Sequence, residues 1–438
     1  MLSAAIVLSG CQPELSDVIF TPGSVGTVVQ VTWESSVEGA GEVVYDTETD
    51  TLAVPAVVTQ DNGTFRYTAD LIGLRSDSPY EATLRVLLDD DPVELTTDFR
   101  SGALALALPG MTVTGEADAA SGYLLTTIMG EPSIGVILDR EGQYVWAYAD
   151  DTPNIYITQI QPDPVNRALV YGRSPSYPPS DSDNTGELIR VSLDGSTVES
   201  ISAPGFHHDF LIHEDGTIAY IAFDEDHVVD PGNLGDRIVE LYPDGSQAVI
   251  WSTWDDLEFS ASVASQGPGW THANAIQYDP EADTYYVSLY NMDTIARIDR
   301  TSGELDWLLG GSFSDFDQNN ETLLNRAHQF QVLESGLLVF NDNDSTALEA
   351  ELVEISFDED TMTAEEVWSY DPGGTITSEV LGSVQRLDNG HTIGTFSTSG
   401  VIDELDANGD RVWRMESSFG TVLSYTHTLT DLTTILTP

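Results

Sequence analysis

Along most of the chain, apolar and polar residues alternate with a period of two, in short runs broken by Gly, Asp, Asn and Pro. That period places alternate side chains on opposite faces of a strand, and the breakers mark turns. One arrangement recurs: a strand, a Gly turn and a second strand. It is clearest from His328 to Phe340 and is repeated from His208 to Tyr220. With a longer turn it recurs from His272 to Val287, and without a His at the first position it runs from Gln159 to Tyr171 and from Ser383 to Ile393. A second arrangement alternates with it, a strand and polar turn followed by apolar residues ending in Trp. Its copies are Ile137 to Trp146, Leu241 to Trp251, Ile298 to Trp307, Ile355 to Trp368 and Leu405 to Trp413, with a copy lacking Trp from Ile189 to Ser196. No amphipathic helix of any length is legible.

A four-stranded unit repeated six times predicts a β-propeller. Residues 106–438 divided among six blades give about 55 residues each, within the range of such repeats. The stretch from Leu423 to Leu436 reads as a further strand that closes the ring by completing the blade begun near Tyr123. Residues 18–105 carry a different pattern of short alternating strands around Trp33, with turns at Asp61-Asn-Gly63 and Asp89 to Pro92. This predicts a small β-sandwich. The run Leu71 to Tyr80 resembles the corner of fibronectin type III domains, in which a Tyr hydroxyl caps the turn backbone. The fold class is therefore all-β: a fibronectin- or immunoglobulin-like sandwich, then a six-bladed propeller over 106–438. Residues 1–17 are read as a signal and polar tether.

Composition sharpens the picture. Among 438 residues there are 73 Asp and Glu against 15 basic residues, all of them Arg, for a net charge of −58. Such a surface repels nucleic acid and anionic membrane faces. The acids are dispersed, which suits solubility in a salty medium where self-repulsion is screened. Short acidic clusters at Asp224 to Asp226 and Asn341 to Asp344 lack the ligand spacing of an EF-hand. No metal site or cofactor is indicated. The single cysteine, Cys11, excludes an intramolecular disulfide. It follows Leu8-Ser-Gly10 after a short apolar run and resembles the lipobox of bacterial lipoproteins, departing from it in lacking basic residues ahead of the apolar run. That reading predicts an exported protein anchored by its N-terminus, with no other membrane contact.

In a propeller the innermost strands line a central channel, so residues at one repeat position form a ring. His208, His272 and His328, spaced 64 and 56 residues apart, are expected at one position of three consecutive blades. The matching positions near Thr158 and Gly382 are small, which leaves a pocket. A single such His would read as a strand cap; three at one position read as a site. His207, His213 and His227 read as surface residues, His391 as second-strand, and His427 as close enough to the closing strand to reach the channel.

The stretches His207-His-Asp209, Trp270 to Ile276, His328-Gln329 with Val339 to Asn343, and Gly382 to Gly390 with Asp406 to Trp413 resemble bacterial arylsulfotransferases that work without phosphoadenosine phosphosulfate. The resemblance covers nearly the whole chain. It implies a β-sandwich followed by a six-bladed propeller, and ping-pong transfer of a sulfuryl group from an aryl sulfate to a phenol through a sulfohistidine. By motif, His328 matches the nucleophile, His272 and Asn274 the pair that binds the sulfuryl oxygens and assists proton transfer, and His208 the remaining histidine. The family carries an Arg where this chain has Tyr290; Arg326, two residues before His328, is the candidate substitute. The competing readings are a non-catalytic ligand- or protein-binding propeller and, last, a quinoprotein dehydrogenase.

Overall fold

The computed structural model describes residues 14–88, 91–118, 122–175, 186–224, 233–267, 269–319, 321–342, 350–374, 376–418 and 420–436. Cys11 and His227 lie outside them. The chain divides into two compact units, Met1–Ala105 and Leu106–Pro438.

In the first unit seven strands form one sheet that folds over itself. Strand Thr51–Asp61 is the hinge of this arrangement. Its first half pairs with Ala40–Asp46 and its second half with Thr64–Leu71, so two layers share it. Alternation in Val29–Ser35 buries Val29, Val31 and Trp33 between the layers, where Trp33 stacks on Tyr67 at 5.2 Å. The Tyr80 hydroxyl accepts the backbone N–H of Arg75 at 2.8 Å, so the expected tyrosine corner is formed. The first strand, Leu15–Pro22, begins inside the expected tether. It is a mostly exposed edge strand, so its sequence lacks the alternation that marks a half-buried one.

The second unit is a six-bladed propeller built from six separate sheets. The innermost strands are Ile160–Asp163, Phe206–Ile212, Ala273–Asp279, Ala327–Leu333 and Ser383–Arg386 for blades two to six. Blade one, Tyr123–Ile128, Ser133–Leu138 and Tyr144–Asp150, takes its innermost strand from the C-terminal segment His427–Leu429. The ring is clasped a second time where Met111–Gly115 pairs with the outer strand Arg411–Ser417 of blade six.

Second strands such as Ile218–Asp224, Thr284–Leu289 and Gly336–Asn341 are buried at every position, because both faces pack against neighbouring blades. The outer-strand tryptophans fill the seams. Trp146 donates to the Leu193 carbonyl of the next blade at 2.8 Å, and Trp413 to the Arg140 carbonyl across the closure at 3.1 Å. The only α-helical turns among the described residues, Thr253–Asp256 and Ala261–Ala264, are four residues each and are capped by Ser252 and Ser260 in the connection from blade three to blade four. Among the described residues no helix is long and apolar enough to cross a membrane.

Two outcomes test this account. Tyr80→Phe removes the hydroxyl that accepts from Arg75 and donates to Glu48 at 3.3 Å, and should cost the first unit about 1 kcal/mol of stability, read by urea denaturation. Thermal unfolding midpoints should rise from 0.1 M to 1 M NaCl, as the screening length falls from about 10 Å to about 3 Å; a flat profile would contradict charge self-repulsion.

Candidate active site

The connections between blades are made by side chains of the innermost strands, and these set the register of the site. Gln161 donates to the Phe210 carbonyl at 2.7 Å, Gln331 takes the Arg386 N–H at 2.6 Å, and Gln385 takes the Thr428 N–H at 2.9 Å. Gln277 stands at the same repeat position on blade four, after Ile276. Counted back from this Gln position, Thr158, His208, Asn274, His328 and Gly382 are equivalent. His272 is therefore not at the position shared by His208 and His328; it lies two residues earlier, and a register shift between Ala273 and Ala275 separates it from Asn274. Its longer hairpin disguised the offset in the sequence.

One row of rings nonetheless forms at the channel mouth. His207 and His208 have centroids 5.0 Å apart, His208 and His272 5.0 Å, His272 and Tyr290 5.0 Å, and Tyr290 and His328 5.1 Å. His208, His272, Tyr290 and His328 line a cavity of about 490 Å³. Met129, Tyr156, Val380 and Leu381 make an apolar side of it, and Gln266 and Gly267 from the blade three–four connection make its lip. His208 (φ 57°) and His272 (φ 54°) adopt left-handed backbone, and His328 sits in a register break between Ala327 and Phe330. Such conformations are costly for residues with side chains and persist only where the surroundings impose them.

The floor is closed. Tyr425, fully buried, reaches across to donate to the Asn274 carbonyl at 2.8 Å. Asp209 accepts from Gln159 at 3.0 Å, from the Ile276 N–H at 3.0 Å and from the Phe210 N–H at 2.8 Å; burial pushes it up to about 7 against these donors. Asn274 lies behind the wall rather than on it. Its amide donates to the Ala327 carbonyl at 3.0 Å, a carbonyl that also accepts from Ser288 at 3.0 Å. It thus clamps the backbone next to His328. Gly382 owes its lack of a side chain to the Phe340 ring, which a Cβ would meet at 2.1 Å.

Electrostatics favour neutral imidazoles. Burial, then the neighbouring His272, lowers His328 to about 3. His208 is held well below its usual value by burial, then by His207, His272 and His328. Asp342, which the sequence presented as part of an acidic cluster, lies with Oδ2 3.2 Å from His328 Nδ1, and burial drives it well above the usual carboxylate range. Tyr290 is raised to about 12, chiefly by burial, and stays protonated at neutral pH. The Arg326 guanidinium packs 4.9 Å from the Tyr290 ring centroid and donates to Gln266 at 3.0 Å. Its backbone N–H is held by Asp293 at 2.8 Å.

The family model for arylsulfotransferase (ASST) matches residues 112–422. The chain belongs to the arylsulfotransferase family. Sequence comparison with curated proteins finds no match. Among solved structures, a Bacteroides caccae protein of unknown function is 15% identical over 69% of this chain and 97% of its own, with a TM-score of 0.47. A chain of a nidogen/laminin complex is 16% identical over 70% of this chain and 99% of its own, with a TM-score of 0.44. Neither likeness bears on the chemistry.

The other histidines lie apart from the row or behind it. His207, expected at the surface, is fully buried directly behind His208. His213 bonds Tyr285 at 2.7 Å and His427 bonds Gln159 at 2.8 Å, and both line a separate cavity at the far ends of the same strands. His391 pairs with Glu404 at 2.7 Å in blade six. Among the described residues no group of three or more His, Cys, Asp and Glu is arranged to hold a metal ion. His207, Asp342 and Asp236 are the site residues that sequence reasoning missed. Adjacency to His208, and to the strand after His328, was the available signal for the first two.

Asn274→Ala should destabilise the protein by about 1 kcal/mol while Ser288 still serves the Ala327 carbonyl. Adding Ser288→Ala leaves that carbonyl unpaired, so the double variant should lose more than the two single losses combined, as measured by chemical denaturation.

Proposed function

We propose that the chain transfers the sulfuryl group of an aryl sulfate to a phenolic acceptor through a sulfated His328. The row of rings carries this reading: a neutral imidazole beside a buried carboxyl, with donor groups at regular spacing along one wall of an otherwise apolar cavity. An uncharged imidazole is a competent nucleophile, and His328 is uncharged across the neutral range. Nδ1 lies 3.2 Å from Asp342 Oδ2, which leaves Nε2 as the nitrogen for attack. In the first half-reaction the Nε2–S bond forms as the S–O(aryl) bond breaks, and the departing phenoxide takes a proton. In the second, the acceptor oxygen attacks sulfur, the N–S bond breaks, and the phenol proton goes to a base in the site.

Charge that builds on the sulfuryl oxygens and the leaving oxygen calls for aimed donors in a dry pocket. His272 and the Tyr290 hydroxyl are suited to this, and His208 to proton transfer. Asn274 contributes by fixing the Ala327–His328 backbone. Met129, Tyr156, Val380 and Leu381 offer the aryl ring an apolar bed. The non-catalytic reading draws on Tyr290 standing at the family's Arg position. Against it, the Arg326 guanidinium beside that ring supplies positive charge to the same wall. Cys11 remains our candidate for lipidation and export, testable by acyl labelling of the full chain against Cys11→Ala.

Nitrophenyl sulfate with a phenol acceptor should release nitrophenol. His328→Ala should lower that rate by more than about 10⁴-fold, as loss of a covalent nucleophile does. Intact wild-type protein mixed with donor alone should gain the mass of one SO₃ on His328. A folded protein inert to a range of aryl sulfates would overturn the proposal. Because His328 protonates only near pH 3, the sulfurylation rate should show no fall centred near 6.5, the ordinary imidazole value.

A further inference from the structure

Behind the cavity wall lies a group that the sulfuryl-transfer reading does not use. Asp236, on the third strand of blade three, is 1% exposed. Its Oδ1 lies 3.1 Å from Nε2 of His207. Its Oδ2 accepts the Ala273 backbone N–H at 2.8 Å and the Thr271 hydroxyl. One carboxyl thus touches the residues on both sides of His272. The His207 ring is fully buried and stacked on Phe223 at 4.1 Å, and its Nδ1 lies 2.8 Å from Nδ1 of His208.

We infer that Asp236 and His207 are positioning residues of the transfer site, fixing the ring tautomer of His208 and the backbone that carries His272. This rests on the sulfuryl-transfer reading and adds to it a definite proton arrangement. A carboxylate at Asp236, 3.1 Å from His207 Nε2, favours the proton on that nitrogen. His207 Nδ1 is then an acceptor, so the proton between the two rings belongs to His208 Nδ1. His208 Nε2 becomes the nitrogen that serves the cavity, as a base for the incoming phenol. Once it has taken the proton of the acceptor phenol, the same ring is the acid for the phenoxide that departs in the next turnover. Its positive charge is then stabilised, through His207, by the buried Asp236, in the way a carboxylate supports a catalytic imidazole. The groups facing His208 are His207, His272 and His328. None of them is an anion, so Asp236, reached through His207, is the acidic partner of that ring.

A purely structural role would slow all donors alike, whereas an acid–base role depends on the leaving group. A nitrophenolate leaves without a proton. An unsubstituted phenolate, conjugate base of an acid near the tyrosine value of about 10, needs one. In steady-state transfer to a common phenol acceptor, His207→Phe, which keeps a ring on Phe223, should raise the nitrophenyl-to-phenyl sulfate rate ratio by about 100-fold, the size of a general-acid contribution. KM should stay close to that of the wild type, and His207→Gln should recover part of the loss. An unchanged ratio would overturn the inference while leaving sulfuryl transfer itself standing. A second measurement needs no turnover. In protein labelled with ¹⁵N-histidine, a slowly exchanging imidazole N–H proton should be shared by His207 and His208 and be lost in His207→Phe. Asp236→Asn should shift it. Absence of that resonance from the wild type would overturn the inference even if no donor is ever accepted.

Discussion

Closure of the ring is the constraint on which the rest depends. A six-sheet ring leaves unpaired edges unless its ends are joined. Here they are joined twice, through His427–Leu429 on the inside of blade one and Met111–Gly115 on the outside of blade six. The inner clasp also delivers Tyr425, whose hydroxyl crosses to Asn274 and floors the cavity. The strand that completes the fold is thus the strand that turns a channel into a pocket.

With the ring closed, the innermost strands are locked to one another by side chains that bond a neighbour's backbone. Gln161, Gln331 and Gln385 do this in one layer, and Asp209 and Gln329 in the layer above. Above these lie the histidines, on backbone that is left-handed or out of register. The strain is local, and polar clamps on neighbouring strands hold it: Asn274 and Ser288 on Ala327, Asp236 around His272, and Asp293 on Arg326. A rigid site follows, suited to a reaction in which charge must be met by donors already in place.

The strongly acidic surface and the neutral, dry interior of the site are separate solutions to separate problems. Dispersed carboxylates repel one another, and salt screens that repulsion. Inside, burial suppresses charge on imidazoles and carboxyls alike, lowering His328 and raising Asp342. Arg326 is the cation that packs beside the row of rings, over Tyr290.

The period-two pattern, the Trp-ended repeats and the length were enough to read a sandwich followed by six blades, since strand alternation and blade size are local properties of a chain. His208 and His328 were likewise legible, because propeller repeats send matching positions to one mouth, which His272 reaches from a neighbouring position. Three features were not. The two-residue offset of His272 depends on where a bulge falls, which a loop-length change conceals. The retreat of Asn274 behind the wall depends on an inter-blade bond to Ala327. The burial of His207 and Asp236 depends on which strand face meets the next blade. Each is a relation between segments distant in sequence, and only the packing of one blade on another decides it.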